Sequence, residues 1–353
     1  MPRRPVEGRA VTRLHLIALL VAPSLLLAGT ADEDWHALVA LDAGPERRPT
    51  QPSEAQTIAT EHLARQERVA RAFLREHPGD ARIVEAKLRL ARVLQLKADV
   101  ADAKIASPEV ESLISDAERA AKPEQRADVR FARLSYTMRR WRTPDAQQRQ
   151  HLFDSARSFQ ASFPDDRRLA ALLTEVATRF DHEPKRKRAL LVDAHLLTRD
   201  DELKARIADD LKRLDLLGET IALRFAPAEG DPADLADYRG KVVVLVFFAA
   251  WSQPSVEAIE AIRKAAPKWP ADAVQLFGVS LDSKPEPLEA LARAQKITWP
   301  VVCDGRGWES PIVRGFAINS LPTVWLIDRD GRLRSLNGLD GISIQIRELL
   351  LQR

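Results

Sequence analysis

A chain of 353 residues, 45% apolar and 30% charged, is long enough for two domains with their own cores and too apolar to be disordered throughout. Its 54 Lys and Arg interleave with 51 Asp and Glu, so the net charge of +3 leaves no basic footprint for nucleic acid. The single cysteine, Cys303, excludes an intramolecular disulfide; the thiol is either free or paired with another chain.

Arg3, Arg4, Arg9 and Arg13 form a positive start, and Leu14 to Ala28 is an apolar run. Ala28-Gly29-Thr30-Ala31 then supplies small residues, so residues 1–31 are predicted to be a secretory signal cleaved after Ala31. A retained anchor is the alternative, but the run is short for a span and holds Pro23. No lipid is expected, because Thr30 stands where a lipid-bearing cysteine would follow Leu27-Ala28-Gly29. The protein is expected in the periplasm or cell envelope, without a stable membrane span after cleavage.

Residues 32–52 are polar and contain prolines, so a linker is predicted. Residues 53–214 carry helical periodicity. Val84, Leu88, Ala91 and Leu94 form one apolar stripe, Phe131, Leu134, Met138 and Trp141 a second, and Leu169, Leu173, Val176 and Phe180 a third. Ala70-Arg-Ala-Phe-Leu-Arg-Glu-His-Pro-Gly-Asp80 repeats 86 residues later as Ala156-Arg-Ser-Phe-Gln-Ala-Ser-Phe-Pro-Asp-Asp166. Ala117-Glu-Arg-Ala-Ala-Lys-Pro123 is a degenerate copy midway. Helical hairpins of about 40 to 45 residues, as in an α-solenoid, would give this period. The phrase is TPR-like only loosely, because its spacing is longer, and a bundle with two similar helix ends is the alternative.

Residues 215–353 change character. Ile221-Ala-Leu-Arg-Phe225 is a candidate first strand, and Pro227, Gly230 and Pro232 mark loops. Lys241 to Phe248 is a continuous apolar, β-branched run, as a strand buried on both faces requires. A helix follows, with Pro254 in its first turn and Val256, Ile259 and Ile262 at helical spacing. Strands and helices then alternate, Asp328-Arg-Asp-Gly331 reads as a hairpin turn, and a helix is predicted from Ile342 to Leu351. The predicted fold class is thus an N-terminal α-helical repeat domain followed by an α/β domain with a mixed sheet flanked by helices.

From about Leu217 onward the chain resembles the thioredoxin-like family, in particular TlpA/ResA-type thiol:disulfide oxidoreductases and their AhpC/TSA relatives. The resemblance rests on Leu235-Ala-Asp-Tyr-Arg-Gly-Lys241, Val274-Gln-Leu-Phe-Gly-Val-Ser-Leu-Asp282 and Phe316-Ala-Ile-Asn-Ser-Leu-Pro322-Thr-Val-Trp-Leu-Ile-Asp328. It implies a cis-proline at Pro322 and a redox pair in Trp251-Ser252-Gln253-Pro254-Ser255, where Ser252 and Ser255 replace both cysteines.

A thiol at a helix N-terminus ionises near neutral pH, whereas a serine hydroxyl there does not and forms no disulfide. Ser252 and Ser255 are therefore expected as helix-cap residues. A serine nucleophile would need an oriented base, and no histidine follows His195. No cysteine between Lys241 and Pro267 offers a peroxidatic thiol. Cys303, in a short strand running into a loop, is read as a small buried hydrophobe, with a reactive free thiol as the alternative. Asp304-Gly-Arg-Gly-Trp308 lacks the phosphate-binding patterns, the seven histidines lack metal-ligand spacing, and Arg139–Arg142 and Lys185–Arg188 read as solvated faces. No metal or other cofactor is expected.

The family resemblance implies that a partner's extended chain pairs with the backbone beside the cis-proline. Trp251, Pro254, Leu321 and Pro322 would form that peptide-binding face. The reading is therefore a redox-inactive, exported binding module for a protein or extended peptide. The alternative is the family's thiol:disulfide oxidoreductase or antioxidant activity. A third reading, a purely structural assembly, requires the Pro322 face to be covered by the helices.

Overall fold

A computed structural model describes residues 29–101, 107–225 and 233–352. The predicted signal lies almost wholly outside these residues. The described chain falls into two compact units. One holds residues 29–101 with 108–117; the other holds residue 107, 118–225 and 233–352. The division falls inside the helical part, so the later helices and the sheet share one unit.

In the first unit the segment expected as a linker carries a helix, α1 (Ala31–Ala40). Thr30 caps it, accepting from Glu33 N–H while the Glu33 carboxylate accepts from Thr30 N–H. Leu38 is buried, and Trp35 packs on Phe73 with ring centroids 5.2 Å apart. The helix is amphipathic but short, and its partners lie on α2 (Pro52–Glu76) and α3 (Ile83–Val100). Cleavage after Ala31 would remove the Thr30 cap, a group worth about 1 kcal/mol. On α3 the buried apolar side chains are Val84, Ala86, Leu90, Ala91 and Val93, so the true stripe is rotated from the expected one and keeps only Val84 and Ala91 as fully buried members.

α4 (Pro108–Ala120) leads to α5 (Arg126–Arg140), α6 (Ala146–Ser162), α7 (Leu169–Ala177), α8 (Pro184–Leu197) and α9 (Asp201–Asp215). The 86-residue repeat is visible bond for bond in the two turns, α2 to α3 and α6 to α7. His77 N–H donates to Phe73 C=O and Phe163 N–H to Phe159 C=O; Ile83 N–H donates to Asp80 C=O and Leu169 N–H to Asp166 C=O. Arg82 grips the Asp80 carboxylate, and Arg168 grips that of Asp166. The Arg82 guanidinium holds the Asp80 carboxyl down at about 2, and Arg168 lowers that of Asp166. Lowered carboxyls stabilise above their ordinary value, so these turns weaken as pH falls below about 4. Arg82 also stacks over Trp35 of α1, as Arg168 does over Phe131 of α5. The degenerate copy at Pro123 lacks the Asp–Arg pair. Arg186, Lys187 and Arg188 each pair with a carboxylate, which accounts for that basic cluster as an ion-paired face.

The sheet domain opens with β1 (Arg224–Phe225), shorter than expected, paired antiparallel with β2 (Ala233–Asp234). The main sheet is formed by β3 (Val242–Phe248), β4 (Val274–Ser280), β5 (Val301–Cys303), β6 (Thr323–Ile327) and β7 (Leu333–Ser335) in the order β5-β4-β3-β6-β7. β3, β4 and β5 are parallel; β6 runs antiparallel to β3, and β7 to β6. All seven residues of β3 are buried. Val243, Leu245 and Phe247 enter one core, where Phe247 meets Trp325 edge-on, and Val242, Val244, Val246 and Phe248 enter the other. That second core also takes side chains from α10 (Gln253–Ala265), α11 (Pro285–Gln295) and α13 (Ile342–Leu351). α12 (Pro311–Gly315) sends Val313 to the first. The turn Asp328–Gly331 forms as expected, with φ of 75° at Gly331.

The helices are not strung loosely before the sheet. Leu217 and Leu336 pack against both the core of α5–α9 and the first sheet core. Gly218 N–H donates to Leu333 C=O, extending the pairing at β7.

Candidate functional site

The sheet order decides where the site lies. Phe247 near the end of β3 is opposite Thr323 at the start of β6, so the chain leaving β3 and the chain entering β6 meet at one end of the sheet. The first carries Trp251 to Ser255 into α10. The second carries Leu321 and Pro322, joined by a cis peptide bond as the resemblance implied. The four residues expected to form a peptide face thus converge at this end.

Their exposures differ. Trp251 is 61% exposed, Pro254 is exposed, and Leu321 and Pro322 are half-buried. Among the described residues the main-chain N–H and C=O of Leu321 have no hydrogen-bond partner. Thr323 fixes the neighbouring turn by donating its hydroxyl to Ser320 C=O at 2.8 Å.

The capping expectation needs correction. Ser252 occupies the N-cap position of α10, but its side chain makes no cap bond. An N-cap hydroxyl ordinarily accepts from the second or third helical N–H. The second residue is Pro254, which has none, and the third N–H, that of Ser255, goes to Ser252 C=O at 2.9 Å. Ser255 lies a turn inside the helix, 0% exposed, with a hydroxyl that has no partner. A buried hydroxyl without a partner is destabilising. Ser255→Ala is therefore expected to raise stability by about 1 kcal/mol, read as a higher urea midpoint at unchanged m-value.

Asp282, unmarked in the sequence beyond ending the β4 run, organises this end of the sheet. It is 1% exposed. Its two carboxylate oxygens accept from Ala250 N–H at 3.1 and 3.0 Å, and one accepts from the Ser280 hydroxyl at 2.6 Å. Ala250 immediately precedes Trp251, so Asp282 anchors the turn that carries the exposed indole. An acid just after a largely apolar strand is the signal the sequence offers. Trp308, 41% exposed, follows β5 at the same end.

Cys303 sits at the end of β5, half-buried, and its thiol donates to Asp282 C=O at 3.3 Å. It packs beside the second core, and its strand is separated from β3 by β4. Among the described residues no three His, Cys, Asp or Glu side chains converge as metal ligands. A groove of about 260 Å³ lined by Trp269, Pro270, Leu276, Trp299 and Pro300 lies at the opposite end of the sheet, where β4 starts.

Comparison with known proteins agrees with this architecture. The sequence model of the AhpC/TSA family matches residues 219–336. Thiol-disulfide oxidoreductase ResA of Geobacillus thermodenitrificans is 27% identical over 108 residues, 31% of this chain and 60% of that protein. Thioredoxin-like protein YneN of Bacillus subtilis is 26% identical over 111 residues, 31% of this chain and 62% of the relative. This chain therefore spans about 60% of the length of the curated relatives it matches. Among solved structures, the thioredoxin domain of a thiol-disulfide oxidoreductase of Bacteroides vulgatus aligns over 38% of this chain and 97% of its own, at 20% identity and a TM-score of 0.35. A thiol-disulfide oxidoreductase of Bacteroides fragilis aligns over 37% and 98%, at 23% identity and a TM-score of 0.34. The matched segment, residues 219–336, with its parallel β3-β4-β5 and cis Pro322, is a thioredoxin-like domain similar to the AhpC/TSA family.

Proposed function

We propose that this protein is an exported, non-catalytic binding module, whose Trp251, Pro254, Leu321 and Pro322 face takes an extended polypeptide. The observation that carries the reading is the unpaired main chain of Leu321 beside a helix head with serines at both redox positions. Strand addition draws its affinity from such main-chain groups. An exposed indole beside them adds apolar area with few rotatable bonds. The relatives are named thiol-disulfide oxidoreductases. That activity on this chain would need a second thiol, and Cys303 is the only one in the sequence. Export is supported by the Arg-rich start and the apolar run to Ala28.

Insulin B chain with blocked thiols serves as an extended probe. Saturable binding, followed by tryptophan emission, is expected for the wild type. Trp251→Ala is expected to weaken it about tenfold, and Ser252→Ala to leave it unchanged. In the companion assay, reduction of insulin by dithiothreitol is expected to proceed at the background rate. Binding indifferent to Trp251→Ala, or catalysis above background that persists in Cys303→Ser, overturns the reading.

A further inference from the structure

Two adjacent side chains at the end of α9 reach the segment that leads into the proposed peptide face. Arg213, in the last turn of α9, is 14% exposed along its side chain. One of its terminal nitrogens donates to Ala317 C=O and the other to the Asp210 carboxylate. The adjacent Lys212 ammonium lies 3.5 Å from Arg314 C=O. The Arg314 carbonyl lies in α12, the short helix that precedes the cis-proline segment, and that of Ala317 lies two residues past its end.

Ala317 is an unusual place to hold. It is buried, with φ of 54°, in the left-handed region that residues with a β-carbon rarely enter. It stands where α12 stops and the chain turns toward β6. Ile318 N–H returns to Val313 C=O at 2.9 Å, and Ile318 enters the first sheet core. Four residues after Ala317 comes Leu321, whose main chain is unpaired. Its position is thus set by β6 on one side and by the Ala317 turn on the other. Arg213 is the charged donor on that turn, and Asp210 limits where its guanidinium can go.

We propose that Arg213 is a positioning residue. It fixes the Ala317 turn, and through it the placement of the Leu321 main chain, so that the helical part sets the affinity of the peptide face. The consequence for affinity rests on the peptide-binding reading; the positioning itself does not.

The test uses the full chain and two readouts. Hydrogen exchange is followed at the Ala317 and Ile318 amides, both of which are hydrogen-bonded. Binding is followed with the thiol-blocked insulin B chain. Arg213→Met is expected to speed exchange at these amides about tenfold, the loss of one charge-assisted hydrogen bond. Exchange in β3 is expected to stay unchanged, and probe affinity to fall by a similar factor. Arg213→Lys, which can still reach one of the two acceptors, is expected to recover part of both effects and serves if the methionine variant folds poorly. Unchanged exchange at 317 and 318 overturns the proposal. So does faster exchange with undiminished binding. Faster exchange in a protein whose wild type binds no probe supports the positioning and refutes the peptide reading instead.

Discussion

Asp282→Ala is expected to lower stability by about 2–4 kcal/mol. The carboxylate is buried and serves two donors, Ala250 N–H and the Ser280 hydroxyl. Alanine leaves both without an acceptor, and an unsatisfied buried donor costs about 1–3 kcal/mol. The space vacated by the carboxyl adds a cavity. Asp282→Asn keeps the shape and one acceptor oxygen but turns an amide N–H₂ toward a donor, so a smaller loss of about 1–2 kcal/mol is expected. The Cys303 thiol bonds to the main-chain carbonyl of residue 282 and keeps its partner in both variants. Urea denaturation checks the order wild type, Asn, Ala, with a common m-value showing that the unfolded states are alike. A loss below 1 kcal/mol for alanine would show that water replaces the carboxylate. The effect is expected to reach the proposed peptide face as well, because Ala250 is the residue before Trp251. Freed of Asp282, the Trp251 turn is expected to give a broader, red-shifted indole emission in the native state.

What the sequence revealed was what local chemistry enforces. The β3 strand is legible because seven residues buried on both faces must all be apolar. The Asp328–Gly331 turn is legible because glycine is needed at its left-handed position. The helical repeat is legible because Pro and Asp recur where the chain turns, and the Asp80–Arg82 and Asp166–Arg168 grips explain that recurrence. What the sequence hid depends on partners far away. α1 reads as a linker in the sequence because its anchors, Phe73 and Arg82, lie some 40 to 50 residues on, so no window around it shows a core. Two leucines that pack against both the helical core and the sheet core, Leu217 and Leu336, are distinguished from other leucines by no pattern. Arg213 likewise reads as an ordinary last-turn cation until Ala317 is seen opposite it. The serine cap failed for a reason visible in the sequence itself, since Pro254 removes the N–H that the hydroxyl would have used.

The double variant Ser252→Cys with Ser255→Cys is expected to reduce insulin well above the rate of the wild type. Position 252 is the N-cap of a 13-residue helix, half-buried, with the helix head in front of it. A thiol there is expected to titrate below the free value of about 8.5, within the range of about 3.5–7.5 seen at helix N-termini, because the helix dipole favours the thiolate. Position 255 suits the second thiol. Its side chain is fully buried and offers a hydroxyl no partner, so a cysteine, which packs as a small hydrophobe, fits better than serine. The chemistry then balances. The thiolate of residue 252 attacks a substrate disulfide, forming a mixed disulfide and expelling one substrate thiolate. The thiol of residue 255 attacks that mixed disulfide, releasing the second substrate thiol and leaving an intramolecular disulfide, which dithiothreitol reduces. Single Ser252→Cys is expected to stop at the mixed disulfide, trapping substrate without turnover. Turnover by the double variant in a Cys303→Ser background would show that the scaffold retains everything the chemistry needs except its two sulfurs. If the double variant forms its disulfide but does not turn over, or if its first thiol titrates at the free value, then the helix head has lost more than the cysteines. The peptide face would then have to be judged without the family's geometry behind it.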